Sequence, residues 1–267
     1  MLHRLKALAR DAIPARRQVP VKYLTDRLRG HLEPEMALLP FLIRRGERAI
    51  DVGGNRGTYA FALARLGARV EVFEPNPACV RVLGGWAAGR TGVTVHPVAL
   101  SAGAGTAQLH VPVDARGVEH DSSGSIEASH AAGARDVEVP VRSLDSFGFD
   151  DAVLIKIDVE GHESRVIDGA SVTLAASRPA LLVEIEQRHI AGPIADILAG
   201  IEARGYRGFF LADGRLRPVA AFDPARHQTA EAFAAGRGYF NNFLFLDAEA
   251  LPGSSRYAAL KDRWMRG

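Results

Sequence analysis

Short apolar runs separated by helix-length stretches set the rhythm of this chain. Residues 48–52, 68–73, 93–98, 152–157 and 180–186 are short runs rich in Val, Ile, Leu, Ala or Phe. Such runs predict strands covered on both faces, as in a parallel sheet. Residues 58–66, 80–88, 164–176 and 194–204 read as the helices between them, with Gly67 as a C-cap. Residues 206–211 and 239–246 add two later strands. Strand and helix in alternation predict an α/β domain.

Two segments break the rhythm. Residues 106–113 and 137–141 alternate apolar and polar positions with no helical pattern between them, which predicts antiparallel strands added to the sheet or folded over its edge. The connecting His120-Asp121-Ser122-Ser123-Gly124-Ser125-Ile126 is either a solvated loop or a lid on the site. Residues 1–45 form a helical lead-in divided by Pro14, Pro20, Pro34 and Pro40. The expected organisation is a lead-in over 1–45, one domain over 46–247 and a tail over 248–267, polar and then helical.

Composition narrows the reading in a few places. The chain has 267 residues, 47% hydrophobic and 24% charged, with a net charge of +2. That balance, with no dense Lys/Arg block, gives no support to a nucleic-acid partner. Cys79 is the single cysteine, so an intrachain disulfide and a cysteine-type zinc cluster are ruled out, and a reducing, cytoplasmic setting is expected. No apolar run reaches the roughly 18 to 20 residues a membrane span needs. Residues 1–10 are basic and amphipathic and lack the apolar core of a secretion signal. They read as a solvated helix at the domain edge, with a membrane-surface or transit helix as the alternative.

Chemistry concentrates where the first strand ends, in Asp51-Val52-Gly53-Gly54-Asn55-Arg56-Gly57. A glycine-rich turn between a strand and a helix is a place for a nucleotide-like cofactor. The spacing departs from the Gly-x-Gly-x-x-Gly of nicotinamide sites, since Asn55 stands at the second glycine position. Asp51 would repel a pyrophosphate at this turn. A carboxylate there favours instead the sulfonium and α-ammonium of S-adenosylmethionine. Glu74, at the end of the second strand, can accept both hydroxyls of a ribose. Glu74 fits either cofactor; Asp51 discriminates.

A wider pattern joins these segments. Ile50-Asp51-Val52-Gly53-Gly54-Asn55-Arg56-Gly57 is followed by Val72-Phe73-Glu74-Pro75-Asn76-Pro77, Val98-Ala99-Leu100-Ser101, Ser122-Ser123-Gly124-Ser125 and Val141-Arg142-Ser143-Leu144-Asp145. Then come Ile155-Lys156-Ile157-Asp158-Val159-Glu160-Gly161-His162-Glu163, Ile167-Asp168-Gly169-Ala170 and Val183-Glu184-Ile185. In order and spacing, over about residues 48–187, the chain resembles the FkbM family of S-adenosylmethionine-dependent methyltransferases. Gly54 departs mildly, standing where the family often has alanine. The resemblance implies a class I, Rossmann-like methyltransferase fold: a seven-stranded, mostly parallel sheet with an antiparallel last strand, plus a β excursion between strands three and four. It implies O-methylation of a hydroxyl on a sugar, glycan or natural product. By the same resemblance Asp51, Gly53, Asn55 and Gly57 hold the methionine part and Glu74 the ribose. Asn76 and the backbone of Ala99 border the ribose and adenine.

Transfer to an alcohol calls for a general base. Asp158, beside the end of the fourth strand, is a candidate, for the acceptor hydroxyl or for the cofactor ammonium. Glu184, at the end of the fifth strand, and His189, with its near-neutral pKa, are the others. Glu160 is either catalytic or an acid at a helix N-terminus, and Lys156 calls for an ion-pair partner. Asp158, Glu160 and His162 are also metal donors, but their closeness in sequence argues against a metal, and none is expected. Two alternatives stand beside the methyltransferase: an NAD(P)-dependent oxidoreductase and a silent S-adenosylmethionine-binding module. The acceptor is not legible; its determinants are expected in 101–145 and in the C-terminal third.

Overall fold

The computed structural model describes residues 13–112, 126 and 134–265. Its strands are β1 (Arg48–Val52), β2 (Arg69–Phe73), β3 (Val93–His96), β4 (Ala99–Leu100), β5 (Gly105–Pro112), β6 (Ala134–Arg142), β7 (Ala152–Ile157), β8 (Ala180–Glu184), β9 (Tyr206–Ala212), β10 (Arg215–Pro218) and β11 (Asn242–Asp247). Among the described residues, eight of these form one sheet in the order β10-β9-β11-β8-β7-β1-β2-β3. The β1·β2, β1·β7, β2·β3 and β7·β8 pairs are parallel. β11 runs antiparallel to both β8 and β9. The expected seven strands with a reversed last one are therefore present, and β10 adds an eighth against β9. Within β10 only Leu216 is buried, so no apolar run announced it.

The sheet is hydrophobic on both sides because helices cover both sides. α1 (Ala15–Arg29), α2 (Thr58–Arg65) and α3 (Pro77–Ala87) lie on one face; α4 (Glu163–Asp168), α5 (Ser171–Ser177) and α6 (Ile194–Glu202) lie on the other. Ile50, Ile155, Leu181 and Phe243 are fully buried on the second face, and Ala49, Leu154, Leu182 and Leu244 are buried on the first. Adjacent residues of one strand thus fill two different cores, which is why these strands read as unbroken apolar runs.

Three expectations are corrected in detail. The run 93–98 splits, because Pro97 has no N–H to continue the ladder; β3 ends at His96, and β4 crosses to pair with β6. The helix expected over 164–176 is two short ones, broken at Gly169 and Ala170. Pro20 does not break the lead-in. α1 runs through it, anchored by buried Val19 and by Tyr23, whose ring lies 5.0 Å from Phe61.

β1 is the switch point of the sheet: β2 and β3 lie to one side of it, β7 and β8 to the other. Ligands of open α/β sheets bind outside the carboxyl ends of the strands at such a point. Asp51 on β1 and Asp158 just beyond β7 therefore face the same crevice.

Candidate active site

Two cavities meet over the glycine turn. The first has a cavity volume of about 60 Å³ and is lined by Asn55, Glu74, Asn76, Ala99, Leu109 and His162, among others. The second, about 180 Å³, lies toward the lead-in, between Lys22, Glu33, Asp51, Tyr59 and Lys156. Gly53, Asn55 and Asp158 line both and form the seam.

The seam is tight for a geometric reason. Gly53 has φ +79°, and a Cβ built on it would lie 1.8 Å from the backbone oxygen of Asp158. Only glycine lets β1 and β7 end this close together. Asn55, also left-handed at φ +47°, donates its backbone N–H to Glu74 Oε2 at 2.6 Å. The N–H of Asn76 donates to Glu74 Oε1 at 2.7 Å, and Asn76 Oδ1 caps α3 by accepting from the N–H of Ala78. Burial pushes the Glu74 carboxyl up to about 7 against the pull of these two donors. Asn76 Nδ2 is buried with no hydrogen-bond partner among the described residues, so the first cavity keeps a spare donor. Apolar Phe73, Val98, Leu100, Leu109 and Ile126 complete it. Leu109 belongs to the β excursion, which therefore walls this cavity. The 122–125 segment lies outside the described residues.

The second cavity is built around one buried lysine, Lys156, with acids close to it. Lys156 is 1% exposed; its Nζ donates to Asn242 Oδ1 at 3.1 Å and stands 3.8 Å from Glu184 Oε2 and 5.1 Å from the centre of the Tyr59 ring. Burial alone would lower its pKa, but Asp158, Glu184, Glu33 and Asp51 together raise it above the ordinary value. The ammonium thus remains charged and serves as a counter-ion, in keeping with the ion-pair reading of its sequence. One cation does not balance four acids. Asp51 is 2% exposed, its Oδ2 has no partner among the described residues, and burial pushes it up to about 7. Asp158 is pushed by burial up to about 6, against the attraction of Lys156. Burial likewise raises Glu184 well above the usual carboxylate range.

Seven of the ten residues expected to bind the cofactor or act as base line these cavities: Asp51, Gly53, Asn55, Glu74, Asn76, Ala99 and Asp158. Gly57 closes the turn against Leu83 and Val19 and lines neither. Glu184 stands behind Lys156, its Oε1 accepting from Asn241 Nδ2 at 2.7 Å. His189 pairs through Nδ1 with Glu160 Oε2 at 2.8 Å, and that hydrogen bond raises its pKa. Glu160 and Gly161 are consecutive left-handed residues, at φ +52° and +100°, and make a tight turn ahead of α4. The acid at the N-terminus of α4 is not Glu160 but Glu163, whose Oε1 accepts from the N–H of Gly161. No group of three or more His, Cys, Asp or Glu side chains among the described residues is arranged to hold a metal.

The lead-in supplies what the sequence reading missed. Glu33 Oε2 accepts from Tyr59 Oη at 2.6 Å and from Asn242 Nδ2 at 3.1 Å, joining three distant segments at the second cavity. Lys22 and Asp26, paired at 2.6 Å, line it too. The one available signal was Glu33-Pro34-Glu35, two acids inside an otherwise apolar stretch from Leu32 to Leu42. Glu35 is buried, which pushes it up to about 7.

This strand order, with β11 reversed between β8 and β9, is that of the class I methyltransferases, whose methyl donor is S-adenosylmethionine. The family is narrower. A profile of the FkbM methyltransferase domain matches residues 51–207, and the chain belongs to that family. Among solved structures, a methyltransferase FkbM from Methylobacillus flagellatus KT is 18% identical, over 87% of this chain and 55% of its own, with a TM-score of 0.48. The chain thus spans about half the length of that protein. A TehB-like SAM-dependent methyltransferase from Corynebacterium glutamicum is 13% identical, over 87% and 97% of the two chains, at a TM-score of 0.46. M. jannaschii TYW2, solved with AdoMet, is 11% identical over 79% and 73%, at 0.42. No curated protein matches the chain. Among the described residues no helix is long and apolar enough to cross a membrane.

Proposed function

We propose that this methyltransferase transfers the methyl group of S-adenosylmethionine to a hydroxyl oxygen of a sugar, glycan or hydroxylated natural product. The observation that carries the reading is the buried carboxylate of Asp51 beside the seam, whose Oδ2 has no partner among the described residues. An acid so placed gains a partner when a cation enters. Residues 46–247 are taken as the catalytic domain, with the lead-in closing the second cavity and 248–267 as a tail.

The residues present fit the donor. Glu74, Asn76 and Ala99 would hold the nucleoside in the first cavity, and Asp51 and Asn55 the methionine end in the second. Gly53 would leave room for the chain between them, and Gly57 would act from behind by fixing the turn. When bound, this group supplies a methyl already activated by a sulfonium, so positioning of the acceptor provides much of the rate. Asp158 is the base we assign, because it lines both cavities while Glu184 and His189 line neither. With its pKa near 6, an Asp158 carboxylate is ionised at neutral pH and can accept the hydroxyl proton. Glu184 tunes Lys156, and His189 holds Glu160. A pyrophosphate at the seam would face Asp51 and Asp158, which disfavours a nicotinamide cofactor.

The test is a product assay with methyl-labelled S-adenosylmethionine across sugars and hydroxylated metabolites. With an acceptor in hand, kcat/KM should rise with pH around 6, and Asp158→Asn should lower it by about 100-fold or more and remove that rising limb. An unchanged profile in the variant would reject Asp158 as base. Transfer to nitrogen or carbon acceptors alone would reject the oxygen specificity.

A further inference from the structure

α1 has a second apolar face that the fold does not use. Its inner face packs through Val19 and Tyr23, and Lys22 and Asp26 line the second cavity. On the opposite side Val21, Leu24 and Leu28 follow at spacings of three and four, which places them on one stripe of the helix. They are 38, 46 and 87% exposed. Among the described residues, the other exposed large hydrophobics are Val172 and Phe233, on separate elements. Packing against the domain needs one apolar stripe; α1 carries two.

Charge says what the outer stripe meets. Arg16, Arg17, Arg27 and Arg29 are exposed along α1, while its one acid, Asp26, is paired with Lys22. Residues 1–29 hold eight Lys or Arg and two Asp, a net +6. The whole chain is +2, so the remainder carries −4. The positive charge is therefore gathered at the end that bears the apolar stripe.

We propose that α1 docks this chain on an anionic lipid bilayer, with Val21, Leu24 and Leu28 entering the boundary between headgroups and acyl chains and the arginines pairing with lipid phosphates. An apolar stripe flanked by arginines is the pattern of a helix lying in a membrane interface. A second copy of the chain would set this basic face against itself. A nucleic acid would satisfy the arginines and leave the stripe unused. Because Lys22 and Asp26 are on the reverse of the same helix, docking holds the second cavity about one helix diameter, roughly 10 Å, from the lipid headgroups. The proposal does not depend on the acceptor or on the reaction.

The experiment is cosedimentation of the full chain with vesicles of phosphatidylglycerol and phosphatidylcholine in equal parts, against phosphatidylcholine alone. The chain should pellet with the anionic vesicles, and less so as salt is raised. Leu24→Asp with Leu28→Asp should weaken vesicle binding by about tenfold or more, while titration calorimetry returns wild-type affinity for S-adenosylmethionine. Arg27→Glu with Arg29→Glu should weaken it as well. Absence of pelleting, or wild-type pelleting of either double variant, overturns the proposal. So does a dimer seen by light scattering that Leu28→Asp disperses, since the stripe would then belong to a second copy.

Discussion

The two cavities share a seam and differ in how they are held together. In the first, Glu74 is bound by backbone donors from Asn55 and from Asn76, the latter two residues away. Its polar groups are set by one glycine turn and one helix cap. In the second, Glu33 reaches Tyr59 across 26 positions and Asn242 across 209, and Lys156 reaches Asn242 across 86. The charges around Lys156 are also unequal, with Asp158, Glu184, Glu33 and Asp51 acting on one buried ammonium, whereas Glu74 of the first cavity lies between two backbone donors. The first is a local device, and the proposed function has it grip a nucleoside. The second is a long-range assembly whose excess negative charge calls for a cation, and its integrity depends on the whole fold.

Breaking the seam should damage both at once, and this is the largest effect expected. Gly53→Ala would place a methyl 1.8 Å from the Asp158 oxygen on a backbone at φ +79°. Strain of this kind costs about 1–3 kcal/mol before any clash is counted. Affinity for both adenosine and S-adenosylmethionine should then fall by on the order of 100-fold, read by titration calorimetry. Wild-type binding of either ligand would show that the cavities do not share Gly53.

The contrast between the cavities also explains what could be read from the sequence. Strands with apolar residues on both faces, such as β1, β7 and β8, announce themselves, because burial on two sides leaves few polar positions. The glycine turn, Asp51 and Glu74 were legible because their partners lie close along the chain or on the adjoining strand. Glu33 was not, since nothing in residues 31–36 specifies that a hydroxyl from α2 and an amide from β11 will meet it. Glu184 and His189 line neither cavity; they pair with Lys156 and Glu160, which do, and such pairings between distant segments are not written in a strand-end position. β10 was invisible because only Leu216 of its residues is buried.

A second experiment separates the cavities by charge. Adenosine carries no cation, so Asp51→Asn should leave its affinity unchanged while weakening S-adenosylmethionine by about 10- to 100-fold, as loss of a buried charged contact of about 1.5–3 kcal/mol implies. The pH dependence has a definite sign. Burial raises Asp51 to about 7 and Asp158 to about 6, so both are partly protonated near pH 6 in the empty protein. A cationic ligand favours the ionised forms, so binding releases protons and affinity rises between about pH 6 and 8. The empty protein behaves oppositely. Acids raised by folding contribute stability that is complete below their unfolded values near 4 and lost as pH passes their folded values near 6 to 7. Thermal unfolding should therefore show the empty protein less stable at pH 8 than at pH 5, with bound S-adenosylmethionine flattening the slope. Equal losses for adenosine and S-adenosylmethionine in Asp51→Asn would dissolve the distinction between the two cavities.

The smallest effect concerns the lead-in, and it decides whether that segment shapes the second cavity or merely covers it. Tyr59→Phe removes the 2.6 Å donor to Glu33 and leaves the ring that faces the Lys156 ammonium. Glu33→Gln keeps the shape but removes the charge shared between Tyr59 and Asn242. Each change alone should weaken S-adenosylmethionine binding by about 3- to 10-fold, as for one charge-assisted hydrogen bond. Groups acting through one another couple by about 0.5–3 kcal/mol, so the double variant should lose less than the two single losses combined. Strict additivity would mean that Glu33 and Tyr59 act on the ligand separately, and the lead-in would then be a cover. Coupling would make Glu33 part of the cavity's charge balance, and residues that lie before the family's matched segment would then belong to the working site.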